Sequence, residues 1–136
     1  MKIYEVQTRP AAGSNYREVY RGSFGLYNTI RKKTKRRPYV RSAYFNKEKI
    51  FLQFFWNHLH EKNYRDRTRR AKFFPCAIDL IRRSRYEPAT IQTLEKPSEL
   101  LHRFAGKTKD GKIFFVQIKH ELRTGEKWLV SVFPED

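Results

Sequence analysis

The sequence predicts an α+β protein with two N-terminal helices packed on a three- to four-stranded antiparallel sheet. Three observations carry this expectation. Apolar residues recur at helical spacing between 47 and 83, period-two alternation takes over after Glu87-Pro88, and turn signals at Asp110-Gly111 and Thr124-Gly125 divide the alternating part into strands. At 136 residues with 15% aromatics, the chain can bury one real core and is too short for two.

Residues 1–45 read as a basic N-terminal arm with possible strands. The stretch 2–7 alternates weakly, and Val19, Tyr20, Phe24 and Leu26 surround two glycines. Arg31-Lys32-Lys33-Thr34-Lys35-Arg36-Arg37 then places six bases in seven residues, a run that repels itself and stays exposed. Pro38-Tyr39-Val40-Arg41 follows, and its mixture of aromatic and basic side chains suits stacking on nucleobases between phosphate contacts.

Residues 46–136 read as the α+β domain. Asn46 is a suitable N-cap for a helix over 47–62, with Glu48 in the first turn, where the helix dipole favours an acid. Leu52, Phe55, Trp56 and Leu59 give that helix one apolar face. A second helix is expected over 66–83, with Ala71, Phe74, Ile78 and Ile81 inward and Pro75 either kinking it or starting a new helix. Strands are expected over 90–94, 100–108, 112–120 and 127–133. Asp110-Gly111 has the composition of a two-residue type I′ hairpin turn.

Charge is unevenly spread. Residues 1–90 hold 22 bases against 7 acids, whereas residues 91–136 hold 8 against 7, so nearly all of the formal +16 lies in the first two-thirds. Such a potential attracts polyanions, because Lys and Arg that meet phosphates release condensed counterions. The bases expected to meet nucleic acid are Lys32, Lys33, Lys35, Arg36, Arg37 and Arg41, with Tyr39 among them, and Arg69, Arg70, Arg82 and Arg83 on the second helical segment. The only cysteine, Cys76, lies in an apolar stretch and is read as a buried structural thiol. One cysteine allows no intrachain disulfide, and no apolar signal core or membrane-length run occurs, so the expected location is the cytoplasm, away from membranes.

Strand alternation places Arg103 and Lys107 on one side of their strand, with Gln117 and Lys119 on the matching side of the next. The three cations suit a phosphate whose charge grows in a transition state, and Gln117 is expected to contact the nucleic acid beside them. His102 is the natural acid or base, yet a regular strand turns it away from Arg103 unless a bulge re-aims one of them. His58 and His60 do less well, being assigned to the buried helix or its end. Their spacing is also wrong for two metal ligands on one helix face, and no metal or cofactor is expected. No Gly-rich phosphate loop follows a strand, and no Gly-x-Ser-x-Gly elbow occurs.

The order of helices then sheet, with Leu101-His102-Arg103-Phe104, Gly106-Lys107-Thr108, Phe115-Val116-Gln117-Ile118-Lys119 and Ser131-Val132-Phe133-Pro134, resembles the barnase–EndoU–colicin–RelE superfamily of ribonuclease-like domains. More narrowly, it is similar to the phage and mobile-element branch, over roughly residues 45–134. The resemblance implies metal-independent RNA cleavage by 2′-hydroxyl attack, with His102, Arg103, Lys107, Lys119 and Ser131 in the catalytic positions. It also implies an RNA substrate (tRNA, mRNA or ribosomal RNA) and, for a toxin, an acidic antitoxin or immunity protein. The chain departs from the barnase pattern in having no clear carboxylate near the sheet centre. A non-catalytic nucleic-acid-binding module that recognises the phosphate backbone is the competing expectation.

Overall fold

The computed structural model describes residues 1–92 and 94–136. Among these the chain runs β1 (Ile3–Glu5), α1 (Tyr16–Lys33), β2 (Tyr39–Arg41), β3 (Lys49–Phe51), α2 (Gln53–Leu59), α3 (Tyr64–Lys72), α4 (Phe74–Arg83), β4 (Ala89–Gln92), β5 (Glu99–Lys107), β6 (Ile113–Glu121) and β7 (Lys127–Pro134). The strands make one mixed sheet in the order β1-β5-β6-β7-β3-β2, with β4 also pairing β5. β1 runs parallel to the second half of β5 and β4 antiparallel to its first half, so both share one edge of that strand. No helix among the described residues is long and apolar enough to cross a membrane.

The class is α+β, but the expected layout is corrected. The sheet has seven strands of mixed direction rather than three or four antiparallel ones, and α1 precedes the helices that the apolar periodicity marked. Residues 1–45, read as a basic arm, hold β1, α1 and β2. α1 starts where the Asn15 side chain accepts from Glu18 N at 3.1 Å, and it carries Glu18 in its first turn and Arg31, Lys32 and Lys33 in its last, matching the helix dipole at both ends. It buries Val19, Ser23, Tyr27 and Ile30, and the Ser23 hydroxyl donates to the Ala71 carbonyl of α3. Part of the basic run is therefore the end of a helix.

The helix expected over 47–62 divides. Asn46 and Lys47 take positive φ (54° and 66°) in the turn from β2 to β3, so Asn46 caps no helix. Ile50 and Phe51 pair in parallel with Lys127 and Trp128 of β7, and Ile50 is fully buried by that pairing. Sheet pairing there overrides a helical pattern that resumes only at Gln53. The expected second helix divides at Phe73 into α3 and α4, with Pro75 in the first turn of α4, where its missing N–H costs nothing. The strand expected over 90–94 falls partly on residue 93, outside the described residues. β4 covers Ala89–Gln92.

The 108–112 connection is longer than a two-residue turn. Thr108 N donates to Lys112 O at 2.9 Å, and Gly111 N returns to Thr108 O at 3.0 Å with φ 91°. This is a three-residue loop whose last position takes a left-handed conformation, for which glycine is suited.

The core lies between one sheet face and the helices. Fully buried Phe114, Val116, Ile118, Leu129 and Val132 point inward from β6 and β7, to the side where α4 places Phe74, Ile78 and Leu80. Gly106 is required here. A Cβ on it would stand 2.4 Å from Cζ of Phe114 and 2.9 Å from Cδ1 of Leu80, so the Phe114 ring occupies the space a side chain would need. The buried Asp79 carboxylate ties the chain after β1 to α4, accepting from Gln7 N at 2.8 Å and Thr8 N at 2.9 Å. Cys76 is buried beside it, and burial followed by the Asp79 charge pushes its thiol up to about 12, which makes it inert.

Candidate functional site

The opposite face of the sheet is where the polar side chains gather. β5 contributes Glu99, Leu101, Arg103 and Lys107 to it, and β6 contributes Phe115, Gln117 and Lys119. On β7 the alternation breaks. Gln117 pairs with Ser131 but Ile118 pairs with Leu129, so Val130 is an extra residue. This bulge keeps Lys127, Leu129 and Val132 in the core while turning both Trp128 and Ser131 to the outer face. Simple alternation from Trp128 would have sent Ser131 inward. The bulge therefore falls on β7, and the register of β5 through His102-Arg103 is regular.

β3 pairs with β7 only at Lys127 and Trp128, and α2 and α3 pack beside the remainder of that strand. Between these helices and the outer face lies a cleft of about 430 Å³, lined by Phe54, His58, Glu61, Arg70, Arg103, Gln117, Ser131 and Phe133 among others. Arg70 donates from Nη1 to Ser131 Oγ at 2.6 Å and lies 3.4 Å from Asp66 through Nε. With the Gln117 amide oxygen turned to it, Arg103 donates from Nε at 3.0 Å and Nη2 at 2.7 Å. Both guanidinium groups rest over the Phe133 ring, at 5.6 Å and 5.5 Å. Arg103 is thus oriented by a neutral amide and a ring, and Arg70 by the Ser131 hydroxyl, the Asp66 carboxylate and the same ring, and each keeps further N–H donors for a phosphate.

Across the cleft, His58 Nδ1 is 3.0 Å from Glu61 Oε1, and the imidazole packs on Phe54 with ring centroids 4.1 Å apart. Both partners are about half exposed, at 45% and 59%. The sequence does not single out this pair, because His58 falls on a helix expected to be heavily buried and its spacing to His60 is wrong for a metal site. A signal was available: His58 and Glu61 are three apart, within the helix the sequence predicts over 47–62.

The sequence-selected residues therefore divide. Arg103, Gln117 and Ser131 line the cleft with Arg70. Lys119 stands beside it on the same face, 3.8 Å from Glu99 and over the Phe54 and Trp128 rings. Lys107 shares the face but ends β5, roughly 13 Å along the strand from Arg103. His102 is on the core side. It is 7% exposed, its Nδ1 is 2.8 Å from Thr90 Oγ1, and its Nε2 is 3.3 Å from His120 Nδ1. Burial, reinforced by His120 and Lys127, pushes it down to about 4, so it is neutral near pH 7 and has no path to the cleft.

Tyr39 and Arg41 lie on the outer face of β2, and Arg37 is held by Glu126 at 2.8 and 3.0 Å. That pair raises the Arg37 guanidinium and lowers the Glu126 carboxyl from their ordinary values. Lys32, Lys33, Lys35 and Arg36 are exposed at the end of α1 and just after it. Arg69 bonds Asp136 and approaches Asp66, away from the cleft lining. Arg82 and Arg83 are exposed in the last turn of α4, and Arg82 lines a separate groove with Arg41, Lys47 and Arg85. Among the described residues no three His, Cys, Asp or Glu side chains gather as a metal-ligand set.

Comparison with known proteins gives no match: no family model fits the chain, and no curated protein or solved structure is recognisably similar to it.

Proposed function

We propose that the chain is a metal-independent endoribonuclease-like protein, of the kind its resemblance to the barnase–EndoU–colicin–RelE superfamily implies, acting on RNA in the cleft between α2, α3 and the outer face. One observation carries this reading. Two oriented guanidinium groups, Arg70 and Arg103, and the Ser131 hydroxyl share a cleft with an imidazole that a carboxylate holds through one nitrogen. That is a phosphate seat beside a proton acceptor.

In this scheme the proton-transfer role given to His102 passes to His58. Glu61 accepts from Nδ1–H and leaves Nε2 to take the proton of the ribose 2′-hydroxyl. The 2′ oxygen attacks phosphorus, the bond from phosphorus to the 5′ oxygen breaks, and that oxygen leaves with a proton from water in the open cleft. Arg70 and Arg103 neutralise the charge that gathers on the non-bridging oxygens. The net charge of +16 brings RNA to the surface, and it also suits an acidic antitoxin or immunity protein as the inhibitor.

The test is incubation of the purified protein with end-labelled RNA in EDTA. The expected products end in a 2′,3′-cyclic phosphate, a 2′-O-methyl at the scissile position blocks cleavage, and DNA of the same sequence is untouched. Cleavage of DNA, or activity lost in EDTA, contradicts the scheme. Tight, salt-sensitive RNA binding with no cleavage would leave the backbone-binding module as the better reading.

A further inference from the structure

The outer face does not end at the cleft. From His58 a series of rings and cations continues across β7 and β3 to the far edge of the sheet. The His58 ring stacks on Phe54, and Lys119 Nζ lies 5.8 Å from the Phe54 ring and 5.7 Å from that of Trp128. Trp128 is the register partner of Phe51, and the Arg37 guanidinium lies 3.8 Å over the Phe51 ring. Phe51 meets Tyr39 edge-on at 6.2 Å, and Lys49 and Arg41 approach the Tyr39 ring at 4.7 and 5.5 Å. The acids in this series, Glu99 and Glu126, are each paired with a base, whereas Lys49 and Arg41 have no ion-pair partner among the described residues.

Rings alternating with cations match one occupant. Unpaired bases stack on ring faces while the connecting phosphates meet the cations, and this recognition tolerates any sequence because every base has a π face. A duplex keeps its base faces hidden and would engage only the cations. An acidic protein would likewise need the cations and not the rings.

We infer that the outer face is a binding platform for single-stranded RNA, carrying the strand from the cleft across β7 and β3 to Tyr39 at the β2 edge. This rests on the proposed reading of the cleft for its polarity and goes beyond it in assigning a single-stranded substrate. From β5 to β2 the platform spans four strand spacings, roughly 19 Å. Tyr39 and Trp128 become stacking residues remote from the phosphate that is cut.

The test is binding of a fluorescein-labelled, fully 2′-O-methylated RNA 12-mer, which cannot be cleaved, at fixed salt. Single strand is expected to bind more tightly than the same sequence as a duplex and to quench Trp128 fluorescence. Tyr39→Leu and Trp128→Leu keep apolar bulk for folding and are each expected to weaken single-strand binding by about 5- to 150-fold, the range for loss of one stacked base. Tyr39→Phe keeps a ring and should bind as the wild type does. An abasic strand of equal length should bind weakly and lose nothing further in either Leu variant.

Cleavage of a dinucleotide, which reaches only the cleft, tests the ribonuclease reading by itself. Failure of the ribonuclease reading would appear as uncut dinucleotide with single-strand preference intact. The platform is overturned if duplex binds as tightly as single strand, or if folded Tyr39→Leu and Trp128→Leu both bind the 12-mer with wild-type affinity. It is also overturned if the abasic strand suffers the same losses, since the rings would then be serving something other than bases.

Discussion

His58→Ala is expected to slow RNA cleavage by ~10² to 10⁴, the usual share of one general acid or base, while RNA affinity changes little. The imidazole is about half exposed at the cleft rim and packs on Phe54, so its removal leaves the core intact and the protein should melt as before. Glu61→Gln removes the carboxylate that orients Nδ1 and should give a smaller loss, because the imidazole remains. His102→Gln alters a residue on the far side of the sheet and should leave the cleavage rate within a few-fold. Single-turnover rates of the three variants on one RNA separate the assignments. Full activity in His58→Ala together with loss in His102→Gln would return proton transfer to the histidine that the sequence singled out.

The second large effect is on stability and belongs to His102. Its folded-state value of about 4 lies below the ordinary imidazole value of 6.5, so between those pH values the unfolded chain binds a proton that the folded chain does not. The stabilisation is therefore present above pH 6.5 and is lost as pH falls toward 4. From pH 7 to pH 5 the loss amounts to about 2 kcal/mol, and it approaches ~3 kcal/mol once both states are protonated. The groups around the ring explain the direction. Thr90, Phe45, His120 and the buried Lys127 lie around it, and Lys127 is itself paired with Glu48. Burial and then Lys127 depress His120 as well, so it adds to the slope in the same direction. Urea melts at pH 7 and pH 5 should show the loss in the wild type and a smaller one in His102→Gln. Equal losses in both proteins would mean that His102 is not the group that titrates.

How much of this was legible in the sequence follows from which interactions decide each element. β5, β6 and β7 could be read because Phe104, Phe114, Val116 and Ile118 alternate strictly and the glycines at 111 and 125 mark the turns. α1 was hidden by its composition. Its buried stripe is Val19, Ser23, Tyr27 and Ile30, where the serine is satisfied by a distant carbonyl and Gly22 and Gly25 lower the helical signal, although Asn15 and Glu18 formed a readable start. β3 could not be read locally, because Lys49–Phe51 is strand only through its partners on β2 and β7.

The site was legible in part for the same reason. Arg103 and Gln117 are cross-strand neighbours, so correct alternation on β5 and β6 was enough to bring them together. Ser131 reaches the same face only through the extra residue Val130, which leaves no mark on the pattern of β7. Arg70 and the His58–Glu61 pair enter from helices, and the position of α2 and α3 beside β7 depends on how short β3 is, which no local pattern records.

The central claim is that a phosphate of RNA is held in this cleft by Arg70 and Arg103. Side-chain NMR of the arginine Nε–Hε groups, during titration with a 2′-O-methylated RNA oligonucleotide, tests it most directly. Shifts of the Arg70 and Arg103 signals that saturate together are the expected result. Shifts confined to Arg82 and Arg83, with Arg70 and Arg103 unmoved at saturating RNA, would place the bound strand away from the cleft and contradict the claim.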